Sequence, residues 1–171
     1  MTTASPELRL KKYLGMRGAD GGPWNRLCSL PACWVGLLYD QTALDAAWDL
    51  VKDFSMAERH ALRDGVPRHA LRVPFRIGSV RELALRALEI AGHGLARRAK
   101  LNSTGASEAV FLEPLIEFAQ ANQTTADRNL RLFHKGGKGG VDPVVRESAV
   151  WIGLGPPNPV LEPASLCHTT H

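Results

Sequence analysis

Apolar positions alternate at the start of the chain and then settle into a helical rhythm. Leu8 and Leu10, then Leu14 and Met16, keep a period of two that breaks near Lys11 and Lys12, which predicts a strand over residues 6–16 whose register shifts at the lysines. Successive strand side chains point to opposite faces, so Leu14 and Met16 share one face while Tyr13, Gly15 and Arg17 share the other. Gly18, Asp20, Gly21, Gly22 and Pro23 follow as a turn. Residues 24–39 are then almost wholly apolar, which predicts a buried helix kinked at Pro31, where the proline ring removes a backbone hydrogen bond.

Three hydroxyl residues mark further helix starts. Thr42 with Asp45, Ser55 with Glu58 and Ser79 with Glu82 each stand three residues before a carboxylate; the two Ser-x-x-Glu pairs have the form of a capping box, and Asp45 suits the positive end of a helix dipole. The clearest period runs from Ser79 to about Arg98, with Val80, Leu83, Ala84, Ala87, Leu88, Ala91 and Leu95 along one face. A loop is expected at residues 102–105, helices over 108–120 and 125–134, and an end to the pattern at Lys135. Beyond Val141 glycine and proline interrupt any period. No internal repeat is visible.

Composition sets the class. The chain has 171 residues, 44% hydrophobic and 22% charged, enough for one domain with a core. Its formal charge of +4 suits anionic ligands, but the basic residues are dispersed among acidic ones without a like-charge block, so no nucleic-acid partner is expected. No apolar run approaches the roughly eighteen residues that cross a bilayer, so no membrane partner is expected either. Three cysteines, an odd count, with no signal-peptide apolar run at the start, predict a reducing, cytoplasmic setting.

The chemical motifs are sparse. HKGGKGG offers glycine amides to an anion, but it lacks the serine or threonine and the preceding strand of a phosphate loop, so it reads as a turn. CHTTH at the end has metal-ligand spacing with Cys28 and Cys33 elsewhere, yet Cys28 falls in the apolar helix, where packing is the plainer role. Trp34 and Trp48 read as core. No Ser-His-Asp or Cys-His arrangement is readable around His60, His69, His93 and His134. These features alone describe a mostly helical domain with an anion-friendly strand end.

The opening residues say more. TTASPELRLKKYLGMRGADGGPWNRLCSLPACWVGLLYD, residues 2–40, resembles the corresponding segment of plant and proteobacterial glutamate-cysteine ligases. The likeness continues through ALDAAWDLVKDF, AERHALRDGVPRHALRVPF and residues 83–98, then weakens at LFHKGGKGGVDPV, covering residues 2–146. Such ligases are similar in fold to glutamine synthetase. The resemblance therefore implies that residues 1–146 are a C-terminal portion of a glutamine-synthetase-like α+β catalytic fold. That portion is mostly α with one or two N-terminal strands, and residues 147–171 form an irregular or disordered tail.

The implied reaction activates the glutamate γ-carboxylate as an acyl phosphate, using ATP and Mg2+, and the cysteine amine then attacks to give γ-glutamylcysteine. That is the first step towards glutathione; related ligases supply other thiols such as ergothioneine, and these residues do not separate the products. The chemistry calls for metal ions and cationic side chains against phosphoryl charge. The family pattern has Glu-x-Arg on one strand face, and here the triplet is Gly15, Met16, Arg17. The resemblance assigns Arg17 a contact to phosphate or substrate. Gly15 stands where the family has a glutamate ligand, and glycine offers no side-chain oxygen to a hard cation. Tyr13, Asp20 and Trp24 are further substrate-binding candidates at the same strand end, each with a plainer reading as packing or turn formation.

Most of the catalytic sheet would precede Met1. The expectation is an internal start, a gene fragment or a split gene, with the missing part on a separate N-terminal catalytic chain and this chain inactive by itself. The alternative, of a different class, is a non-catalytic helical interaction module or a vestigial fragment, because a strand without its sheet exposes unpaired amides and carbonyls.

Overall fold

The computed structural model describes residues 8–10, 12, 14–16, 24–101, 105–135 and 141–148. Two short strands, β1 (Leu8–Leu10) and β2 (Leu14–Met16), pair antiparallel with Arg9 opposite Gly15. The break in period near Lys11 and Lys12 is thus a reversal of the chain, not a shifted register within one strand. Lysines suit the exposed end of a hairpin, and a period-two pattern cannot distinguish a bulge from a turn.

Eight helices follow among the described residues: α1 (Trp24–Leu27), α2 (Ser29–Leu38), α3 (Gln41–Val51), α4 (Met56–His69), α5 (Val80–Arg98), α6 (Glu113–Gln120), α7 (Thr125–Lys135) and α8 (Asp142–Ser148). The single helix expected over residues 24–39 is broken at Cys28, not kinked at Pro31. Pro31 lies in the first turn of α2, where backbone N–H groups lack intrahelical partners in any case, so its ring costs nothing there.

The centre of the fold is the crossing of α2 and α5. A Cβ added at Gly94 would land on the Gly36 carbonyl oxygen, and one added at Gly36 would land on the carbonyl of Ala91, so the two backbones are in contact. Around this seam Ala32, Leu88, Ala91, Leu95, Leu112 and Ala119 form one buried cluster, with Cys33, Val35, Phe111, Leu115 and Ile116 packed on it. The periodic face of α5 supplies the largest part, as its spacing predicts. The stretch over 108–120 is a 3-10 segment (Glu108–Leu112) leading into α6, and it delivers Leu112 to the core.

Local signals explain most helix ends. Ser55 and Ser79 form the two expected capping boxes with Glu58 and Glu82. Asp40, and not Thr42, caps α3: its carboxylate accepts from the Ala43 amide at 2.8 Å. Asp45 instead accepts from Gln41 one turn earlier. A second hairpin, β3 (Pro74–Phe75) with β4 (Gly78–Ser79), links α4 to α5. Arg76 at its turn donates to Glu58 at 2.8 Å and to the Asp53 carbonyl at 2.7 Å, and its guanidinium lies over Phe54, which meets Phe75 edge-on. That clamp holds the hairpin against the start of α4. The expected tail lies outside the described residues except that α8 runs on to Ser148. The architecture is mostly α with small two-stranded sheets.

Candidate functional site

Of the residues singled out from the sequence, the structure describes Gly15 and the backbone of Trp24. Gly15 is the middle residue of β2, half-buried and cross-strand from Arg9, and Trp24 is the first residue of α1. Tyr13, Arg17 and Asp20 lie outside the described residues. The flanks of the glycine-rich turn are therefore in view, and the turn itself is not.

What fixes the downstream flank is an arginine that sequence reasoning did not single out. Arg26 of α1 stacks its guanidinium over the Phe118 ring of α6, 4.7 Å from the centroid, and donates to the Thr125 hydroxyl at 2.5 Å. A cation over an aromatic face and a charged donor to a hydroxyl reinforce each other in a partly buried position. Thr125 opens α7, whose start is capped by a Thr124–Asp127 pair: the Asp127 carboxylate accepts from the Thr124 amide at 2.9 Å and its hydroxyl at 2.8 Å. Arg72 reaches the other oxygen of Asp127 at 3.1 Å. The Arg72 hydrogen bond, followed by those from Thr124, holds the Asp127 carboxyl below its ordinary range.

These contacts border an open depression of about 360 Å³ lined by Arg72, Gln123, Asp127, Leu130 and Arg131. Its polar groups are engaged with one another: Arg72 pairs with Asp127, and Arg131 donates to the Gln123 amide oxygen at 2.5 Å. The arrangement ties α1 to the α6–α7 joint and that joint to the end of α4. Thr124-x-x-Asp127 was a readable cap signal, whereas the Arg26 contact joins residues 99 positions apart and leaves no local trace.

Other sequence candidates fall elsewhere. Cys28 is exposed at the α1–α2 junction, which corrects its expected packing role, and Trp48 is exposed on α3, not core. Trp34 is half-buried. Burial pushes the Cys33 thiol up from its ordinary value, so it stays protonated and unreactive. His60, His69, His93 and His134 are exposed. Among the described residues no three His, Cys, Asp or Glu side chains converge as a metal would require, and no helix is long and apolar enough to cross a membrane.

Known proteins place this chain. The sequence signature of Glutamate-cysteine ligase family 2 (GCS2) matches residues 1–147. A chloroplastic glutamate-cysteine ligase of Nicotiana tabacum is 46% identical over 149 residues, which are 86% of this chain and 27% of the relative. The chloroplastic enzyme of Arabidopsis thaliana is 47% identical over 147 residues, with the same coverage of 86% and 27%. Glutamate-cysteine ligase A of Oryza sativa subsp. indica, also chloroplastic, is 46% identical over 147 residues, 86% of this chain and 29% of the relative. The chain thus spans little more than a quarter of the relatives it matches. Their names also correct the expected cytoplasmic setting: they point to the plastid, and cysteine usage that indicates a reducing environment does not single out the cytoplasm. With 147 of its 171 residues inside that signature, the chain belongs to glutamate-cysteine ligase family 2.

Proposed function

We propose that this chain supplies the C-terminal quarter of a glutamate-cysteine ligase, an enzyme that joins glutamate to cysteine at the expense of ATP in the first step of glutathione synthesis. The observation that carries this reading is 46% identity over 86% of the chain to a protein named for that activity. Within the site, Arg17 acts as the cation that meets phosphate or substrate. Tyr13, Asp20 and Trp24 are the further substrate-binding candidates. ATP and Mg2+ are the cofactors of the whole enzyme. Gly15 brings no side-chain oxygen to a magnesium ion, and among the described residues no three His, Cys, Asp or Glu side chains converge. The part proposed for this chain is cationic and positional, through Arg17. Arg26 serves the same end by pinning the start of α1 through Phe118 and Thr125.

The test is a chimera in which this chain replaces the matching segment of the Arabidopsis thaliana relative, assayed for cysteine-dependent ADP release. The expected result is weak turnover that Gly15→Glu raises about tenfold or more and Arg17→Ala abolishes, because a misplaced phosphoryl group costs orders of magnitude in rate. A folded chimera with no turnover, even after Gly15→Glu, would favour the non-catalytic interaction module, the reading that the substitution at Gly15 itself supports.

A further inference from the structure

Ten-residue helices at a protein surface are normally amphipathic, with polar side chains facing water. α2 departs from this. Its sequence, SLPACWVGLL, contains no charged residue, and its one polar side chain, Ser29, is 1% exposed on the inner face beside Ala32 and Gly36. The opposite face carries Leu27 at the end of α1, then Leu30, Pro31, Trp34 and Leu38, at the i, i+3, i+4, i+7 spacing of a helix stripe. Leu27 is 48% and Leu30 37% exposed, Pro31 is exposed, and Trp34 and Leu38 are half-buried. A continuous apolar stripe with no charge on it marks a surface that meets another protein surface.

We infer that this outer face of α2 is the docking surface for the ligase polypeptide that lies outside this chain. The inference rests on the proposed ligase reading. Two observations select that occupant. The relatives hold nearly three-quarters of their length beyond the matched segment, so a large protein body is available to cover the stripe. The β1–β2 hairpin, only three residues per strand and paired to no other described strand, stands immediately before the stripe in sequence, and a lone hairpin of that length is not stable in water without a surface to rest on. Hairpin and stripe thus need cover on the same stretch of chain. The partner surface is apolar and uncharged where it meets Leu27, Leu30 and Trp34.

The experiment places Leu30→Lys, and Trp48→Lys as a control on the exposed side of α3, in this chain alone and in the Arabidopsis chimera, and reads thermal midpoints. Leu30→Lys is expected to leave the chain alone unchanged within about 2 °C and to lower the midpoint of the chimera by about 5 °C or more, while Trp48→Lys shifts neither. Equal shifts from both variants in the chimera would overturn the inference. So would a destabilisation already complete in the chain alone: a change from dimer to monomer by light scattering would assign the stripe to a second copy, and dependence on residues 149–171 would assign it to the chain's own end. If the chimera itself does not fold, the same two substitutions at the aligned positions of the intact relative give the same decision. The readout is stability, so a folded but inactive chimera defeats the ligase reading alone, and an active chimera indifferent to Leu30→Lys defeats the docking surface alone.

Discussion

The two faces of α2 are both uncharged and meet opposite surroundings. The inner face, Ser29, Ala32 and Gly36, lies backbone to backbone against α5, while the outer face, Leu30, Pro31 and Trp34, is open or half-open to solvent. The difference is one of size. Small residues let a second helix approach until main chains touch, and large ones hold neighbours at ordinary interaxial distance. Hydrophobicity shows that both faces are to be covered. The side-chain volumes show that this chain's own α5 can close on only one of them.

The inner seam should therefore be the most sensitive part of the molecule. Leu95→Ala, a fully buried truncation beside the crossing, is expected to cost about 4 kcal/mol by transfer and cavity terms together. Gly94→Ala adds a single methyl where a carbonyl already stands and is expected to cost about 3 kcal/mol, the upper end for overpacking, because backbone cannot turn aside as a side chain can. Urea denaturation of the two variants checks both values. Gly94→Ala tolerated within about 0.5 kcal/mol would mean that the helices are free to separate, and the contrast between the faces would collapse.

How readable this contrast is from sequence depends on range. The capping boxes at Ser55 and Ser79 close within three residues, and the α5 stripe repeats for five turns, so both are written locally. Thr42 misled because Asp40, two positions earlier, offers a carboxylate in the extended conformation a cap requires. The β3–β4 hairpin went unseen because two residues per strand carry no period. Two glycines inside apolar helices read as mild helix weakeners, and nothing local reveals that they face each other across 58 positions. For the candidate site, Gly15 and Arg17 were identified through likeness to relatives, since a strand end bearing one arginine carries no chemistry of its own. Arg26 was missed because its partners, Phe118 and Thr125, come from the far end of the chain.

α4 sharpens the comparison from the other side, because none of its residues is fully buried. Its stability rests on its ends, so Ser55→Ala should cost about 1 kcal/mol, near the usual value for a lost cap. Hydrogen exchange should show the loss confined to α4 and the adjoining hairpin, with α5 amides unchanged. A loss that spreads to α5 would mean that α4 folds as one unit with the seam, and the graded picture of inner seam, open stripe and tethered helix would not hold.

The smallest effect belongs to the polar rim of the seam. Asp40 follows α2 and accepts hydrogen bonds from the Ala43 amide and from Arg97 of α5, each at 2.8 Å. The Ala43 amide first, and then Arg97, hold its carboxyl below the ordinary value of 3.8. A carboxyl depressed in the folded state contributes stability above its unfolded pKa and loses it as pH falls through the folded one. Asp40→Asn keeps a cap acceptor and removes the charge, so the midpoint difference between wild type and variant should be small at pH 7, should begin to shrink as pH falls past 3.8, and should vanish once pH is under the depressed folded-state value. Glu58, held down to about 2 by Arg76, and Asp127, held down by Arg72, titrate in both proteins and cancel in that difference. Exposed pairs are screened, so added salt should narrow the gap at pH 7 as well. A gap that persists undiminished to pH 2 would show that Asp40 acts through shape at the cap and not through its charge, leaving the α2–α5 seam held by packing alone.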